Sequence, residues 1–141
     1  LWPATTLYLI ESMQRRATFL RRAVQTLNLE HVDVIQARAE EVGRDPALRG
    51  SLDLVTSRSF GPPAVTVECA APLLRTGGLL VVSEPPEGGP GRWPAHALEE
   101  LGLGTPTAVR GGAGYVVLRQ DAECPQRYPR RPGIPTKRPL S

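Results

Sequence analysis

Apolar residues fall along this chain in two alternating patterns, short continuous runs and stripes at helical spacing, and each predicts an element. Thr5–Ile10 is a β-branched and aromatic run whose Leu7, Leu9 and Ile10 are too apolar for a strand with one wet face, so it predicts a strand buried on both faces. Between Met13 and Leu27, residues Met13, Ala17, Leu20, Val24 and Leu27 lie three or four apart, the stripe of a helix packed on a sheet, with Asn28 as its stop. His31–Ala37 predicts a second strand, and Leu52–Thr56 a third that ends in Ser57, Arg58, Ser59 and Phe60. Gly61, Pro62 and Pro63 then open a helix running to about Leu74, which Thr76, Gly77 and Gly78 close as a left-handed cap would. Leu79–Ser83 predicts a fourth buried strand, Glu84–Arg92 a loop without core residues, and Trp93–Leu101 a short helix. Thr105–Val109 and Gly114–Arg119, separated by Arg110, Gly111, Gly112 and Ala113, predict a hairpin. From Cys124 onward the prolines exclude regular structure and favour an extended segment. The organisation expected is an α/β domain over residues 1–122 and a tail over residues 123–141.

Alternating strands and helices imply a parallel sheet, and in such sheets ligands bind outside the carboxyl ends of the strands. Glu11 stands at that position after the first strand, where a carboxylate can accept hydrogen bonds from both hydroxyls of a ribose. The same residue, or Ser12, could instead cap the helix that follows. The second strand repeats the arrangement, being followed by Arg38, Ala39, Glu40 and Glu41, and Glu40 is open to the same two readings. The outer face of the first helix carries Arg15, Arg16, Arg21 and Arg22 with no carboxylate between Ser12 and Leu29, which fits either a solvated face or one turned to phosphates.

Composition narrows the function classes. At 141 residues the chain is about one domain long, with 40% apolar and 22% charged residues. The net charge of +3 is moderate, but the last eighteen residues hold five Lys or Arg and no acid, a bias toward nucleic acid. No apolar run approaches a membrane span and no charged start precedes an apolar one, so a cytoplasmic location without membrane contact is expected. Cys69 and Cys124 lack the spacing of a disulfide framework or zinc site, and neither His31 nor His96 has a companion ligand, so no metal is expected. A strand-end acid also suits a dinucleotide-dependent oxidoreductase, a class for which a basic, Pro-rich tail has no use.

The phrases IESMQRRATFLRRAV, QARAEEV, DLVTSRSF, CAAPLLRTGG and RYPRRPGIPTKRPL, taken with the terminal hairpin, resemble the RsmG/GidB family of bacterial 16S rRNA guanine-N7 methyltransferases. The resemblance implies a class I S-adenosylmethionine-dependent methyltransferase fold, Rossmann-like, with a C-terminal antiparallel hairpin. It further implies that Glu11 contacts the cofactor ribose, that Ala39 and Glu40 line the adenine, and that Arg58 lies at the cofactor and substrate end of the site. Arg127, Arg130, Arg131, Lys137 and Arg138 would hold RNA phosphates in 16S rRNA or the small ribosomal subunit, with the chain acting as a monomer. The reaction implied is methyl transfer from S-adenosylmethionine to a guanine N7, whose own lone pair needs no general base; no catalytic acid–base residue is therefore expected.

One feature of that family is absent. Its glycine-rich loop between first strand and first helix has no counterpart here, since Gly77/Gly78, Gly88/Gly89 and Gly111/Gly112 do not lead from a strand into a helix. The reading is of an N-terminally truncated enzyme missing its first strand and helix, with a vacancy between the strands at Thr5 and Leu52. The alternative is a catalytically silent rRNA-binding remnant of the same fold.

Overall fold

The computed structural model describes residues 3–141. Strand β1 (Leu7–Ile10) leads into helix α1 (Gln14–Thr26), and β2 (Val32–Ile35) into the single turn α2 (Ala39–Val42). Strand β3 (Leu52–Ser57) is followed by α3 (Pro63–Ala70), then by a 3₁₀ turn over Ala71–Leu73 and the long strand β4 (Leu74–Glu84). A second 3₁₀ turn (Pro90–Arg92) and α4 (Ala95–Glu100) precede the hairpin of β5 (Thr107–Gly111) and β6 (Ala113–Arg119), and α5 (Ile134–Lys137) lies in the tail. No helix is long and apolar enough to cross a membrane among the described residues.

The strands form two sheets. β1 and β2 pair in parallel, with Leu7 opposite Val32 and Ile10 opposite Ile35. The other sheet has the order β3-β4-β6-β5, parallel between β3 and β4 and antiparallel elsewhere. No strand pairing joins β1 to β3 among the described residues, yet Tyr8, Ile10, Ile35, Leu52 and Val55 from both sheets pack against the same buried Val42, Leu48 and Leu73. The vacancy expected between these strands is thus present as two unpaired strand edges facing a shared core.

That vacancy changes the burial of β1. The sequence predicts a strand covered on both faces, whereas Leu7 is 47% exposed and Tyr8, Leu9 and Ile10 are only half-buried, because β1 has one strand neighbour and little cover. α1 is affected in the same way. Ala17 is fully buried, but Met13 and Leu27 at the two ends of the stripe are exposed, as is Phe19. β4 also departs from expectation: Leu80 and Val82 are buried while Leu79 is exposed, so only one face enters the core.

The main core lies between α3, β4, β6 and α4, and includes Val67, Leu74, Leu80, Trp93, Leu98, Leu101, Val116 and Leu118. Residues 64–70 of α3 are all buried, so this helix is covered on every side. It ends earlier than its apolar pattern predicts. β4 begins at Leu74, and the glycines read as a cap form a bulge inside it, with register passing from Leu52/Leu74 to Leu54/Leu79. Gly77 has φ +86° there, and a Cβ on Gly78 would stand 2.9 Å from the carbonyl oxygens of Leu52 and Arg75. The bulge is pinned by Gly77 N–H to Gln120 O at 2.7 Å and Gln120 N–H to Gly78 O at 2.8 Å.

The segment expected to extend away is folded onto this body. Cys124 and Tyr128 belong to the main core, and Pro129 and Pro135 are fully buried. Prolines prevent a strand or long helix here, but they do not prevent packing, and they lower the entropy lost when the segment is fixed. Three carbonyls of the tail and that of Gly43 after α2 converge on Arg49, which donates to Gly43 O, Tyr128 O, Cys124 O and Pro125 O at 2.6–3.2 Å.

Candidate functional site

Parallel pairing brings the segments after β1 and β2 to one edge, where Glu11 N–H donates to Ile35 O at 3.0 Å. The Glu11 carboxylate is partly exposed, accepts the Met13 N–H at 2.9 Å, and lies 3.9 Å from the Arg16 guanidinium. Capping and exposure at the sheet edge therefore coexist in one side chain. Met13, the N-cap residue, offers no side-chain oxygen, so the preceding acid supplies the acceptor.

Residues 38–41 stand beside it. Arg38 N–H donates to the Glu41 carboxylate at 2.9 Å, so Glu41 closes the first turn of α2. Glu40 turns inward. Its carboxylate is buried, accepts the Gly133 N–H of the tail at 3.0 Å, and has the Arg38 guanidinium at 3.5 Å. Burial acts to raise its pKa, but hydrogen bonds from Gly133 and its own N–H, with the charge of Arg38, outweigh burial and hold it below the ordinary carboxylate value. Ala39, half-buried, occupies the same turn with no side chain beyond Cβ.

Arg58 follows β3 and is exposed, with no ion pair among the described residues. It lines a cleft of about 760 Å³ at the carboxyl ends of β3 and β4, which the sequence signalled only as a core-free loop after a strand. Ser83 faces Tyr115 and Glu84 faces Gly114 across the β4–β6 ladder, bringing β6 into the wall of the same cleft.

The five tail cations separate into two groups. Arg127 pairs with Glu100 at 2.7 Å and lies over the Tyr128 ring at 5.1 Å, while Arg130 is bound to the wholly buried Glu68. Arg131, Lys137 and Arg138 are exposed and form no ion pair among the described residues. The Arg130–Glu68 pair left no trace in the sequence pattern because its members are 62 positions apart. On α1, Arg15, Arg16, Arg21 and Arg22 are exposed around Phe19, which is 69% exposed.

Burial pushes both thiols up, Cys69 to about 12 with the Glu40 and Glu68 carboxylates adding to the rise, and Cys124 to about 11 against the pull of Arg49, far from reactive thiolates. No cluster of three His, Cys, Asp or Glu side chains suited to a metal occurs among the described residues.

Comparison with known proteins decides the family. The GidB model, described as rRNA small subunit methyltransferase G, matches residues 1–84. The chain belongs to the GidB family. The ribosomal RNA small subunit methyltransferase G of Moorella thermoacetica is 35% identical, over 98% of this GidB chain and 61% of its own length. That of Carboxydothermus hydrogenoformans is 37% identical, over 98% and 62%. The chain therefore spans about three fifths of the length of these curated relatives. Solved structures similar to this GidB chain include a SAM-dependent methyltransferase from Aquifex aeolicus, with TM-score 0.58, 16% identity and coverage of 83% of this chain and 69% of that one. A methyltransferase from Geobacter sulfurreducens gives TM-score 0.60 at 13% identity, covering 85% and 60%. The Rossmann-like methyltransferase fold and the family read from the sequence are both supported.

Proposed function

We propose that this chain is part of an enzyme that methylates N7 of a guanine in 16S ribosomal RNA in the cytoplasm, using S-adenosylmethionine. The observation that carries the reading is the meeting of Glu11 and the Arg38–Glu41 turn at one edge of the parallel β1–β2 pair, in a member of the GidB family. Glu11 fits the cofactor: a partly exposed carboxylate at a strand end can accept from ribose hydroxyls while still holding the Met13 N–H. Ala39 leaves room for an adenine face, and Glu40 serves by fixing the turn to the tail, its carboxylate being committed to Gly133. Arg58, in the wall of the cleft after β3, is assigned to the substrate end of the site.

Bound S-adenosylmethionine would supply an electrophilic methyl group. The protein needs to hold guanine N7 in line with it and to exclude water, because N7 carries no proton to remove. RNA phosphates would be held by Arg131, Lys137 and Arg138, with the α1 arginines as a second cationic surface and Arg127 and Arg130 giving mainly structural support.

Calorimetric titration with S-adenosylmethionine tests the reading, on this chain and on a form extended upstream if the preceding codons encode a glycine-rich loop. Binding by the extended form alone is expected, since the unpaired edges of β1 and β3 leave the cofactor edge incomplete. Binding by neither form would overturn the methyltransferase reading in favour of an RNA-binding one.

A further inference from the structure

Helix α1 carries a surface that the packing of the fold does not use. Gln14, Arg15, Thr18, Phe19 and Arg22 line an open concavity of about 340 Å³ on it, and all five are exposed. Arg15, Thr18, Phe19 and Arg22 stand at i, i+3, i+4 and i+7, the spacing of one helix face. Phe19 is not part of the stripe of Ala17, Leu20 and Val24. At about 100° per residue it lies about 160° around the helix from the wholly buried Ala17. Covering the open edges of β1 and β3 would therefore bury more of the stripe and leave this ring outside. A lone exposed ring carries little meaning. This one stands between two cations without counter-ions: the side chains of Arg15 and Arg22 form no ion pair or hydrogen bond among the described residues, and no guanidinium stacks on the ring. The neighbouring Arg16 and Arg21 turn back instead, to Glu11 at 3.9 Å and to Gln36 at 3.4 Å. The helix holds no carboxylate.

We propose that this face binds single-stranded RNA, Phe19 stacking on one base while Arg15 and Arg22 take the phosphates on either side of it. The inference rests on the RNA partner of the reading above and gives that partner a second contact, on α1 rather than on the tail. Seven positions of helix set the two arginines about 10 Å apart along the axis, with Phe19 between them, so one flexible strand engages all three. Stacking on an aromatic ring is indifferent to base identity, since every base has a π-face. A guanidinium pairs with a phosphate through two N–H groups. A duplex is a poor match, because its base faces are occupied by their neighbours. So is a membrane surface: insertion needs a broad apolar face, and Phe19 is the one apolar residue of the five. An acidic peptide satisfies the arginines but leaves the ring unused.

The test is fluorescence anisotropy of a short labelled oligouridine titrated with the full chain at several salt concentrations, beside an RNA duplex of the same length and polyglutamate. Phe19→Ala should weaken oligouridine binding about tenfold with its salt dependence unchanged, and Phe19→Tyr should keep most of the affinity. Arg15→Gln and Arg22→Gln should each lower the slope of log affinity against log salt by about 0.7. Duplex and polyglutamate should bind more weakly and ignore Phe19→Ala. Thermal melts matching the parent show that each variant is folded, as substitutions at exposed positions should be. Oligouridine affinity unchanged in Phe19→Ala, slopes unchanged in both arginine variants, no binding by the parent chain, or polyglutamate bound as tightly as RNA would overturn the proposal. S-adenosylmethionine binding is read separately. Cofactor binding by the extended form, with RNA binding indifferent to Phe19, defeats this assignment alone. Phe19-dependent RNA binding with no cofactor binding by any form defeats the methyltransferase reading alone.

Discussion

Arg130 clasps Glu68 through three hydrogen bonds, from Nε at 2.8 Å, Nη2 at 2.6 Å and its own backbone N–H at 2.9 Å. Glu68 is wholly buried in α3, while Arg130 remains 28% exposed. The tail thus supplies Glu68 with its only ion-pair partner among the described residues. Arg130→Ala should destabilise the fold by about 3–5 kcal/mol, the cost typical of stranding one member of a buried pair. Glu68→Ala should cost less, because the guanidinium it strands can reach water. Urea unfolding of the two variants measures the difference, and equal midpoints would mean that the pair is not what holds the tail.

Arg49 is the second anchor. Arg49→Ala removes four hydrogen bonds to carbonyls of Gly43, Cys124, Pro125 and Tyr128 at once, and the freed tail should become a protease substrate. Trypsin should cut after Arg127 and Arg130 faster in this variant than in the parent, with cleavage elsewhere little changed. Mass spectrometry of a digestion time course gives the answer.

Acid should loosen the same region. Hydrogen bonds from Tyr128 and Arg127 hold the Glu100 carboxyl below its ordinary value of 4.5, and Glu40 is lowered despite its burial. A depressed folded-state pKa contributes stability that is complete above the unfolded value and lost as pH falls through the folded one. Stability should therefore decline from pH about 4.5 downward, and Glu40→Gln and Glu100→Gln should each flatten that decline. Thermal melts between neutral and acid pH would show it.

The thiols offer a readout of tail docking. With Cys69 raised to about 12 and Cys124 to about 11, neither should react with a thiol reagent at neutral pH until the chain opens. Cys124 should label ahead of Cys69 in Arg49→Ala, since it leaves the core with the tail. Simultaneous labelling would mean that the tail and the α3–β4 core open as one unit.

Most elements were legible because their hydrophobic period is local: the β1–α1 and β3–α3 units and the β5–β6 hairpin all appear within a few residues of their predicted positions. Burial was less legible, since it depends on neighbours. Leu7 and Leu9 look like residues of a doubly covered strand, yet among the described residues β1 pairs with β2 alone. Gly77 was rightly read as a left-handed position but wrongly as a helix cap, because a β-bulge and a cap demand the same residue. At the site, the strand-end placement of Glu11 and Arg58 followed from topology. The inward turn of Glu40 did not, as its partner Gly133 is 93 positions away. The tail was misjudged on its prolines and charge, although the apolar Tyr128, Ile134 and Pro135 among them were a signal of docking.

The docked tail also dictates when folding can finish during synthesis. Until residues 124–138 have left the ribosome, the main core lacks Cys124 and Tyr128, and Glu68 has no cation opposite it. A nascent chain at that stage holds a helix with a charge it cannot bury. Completion is deferred until Arg130 arrives, and a message that stops short of it yields a chain fit for degradation.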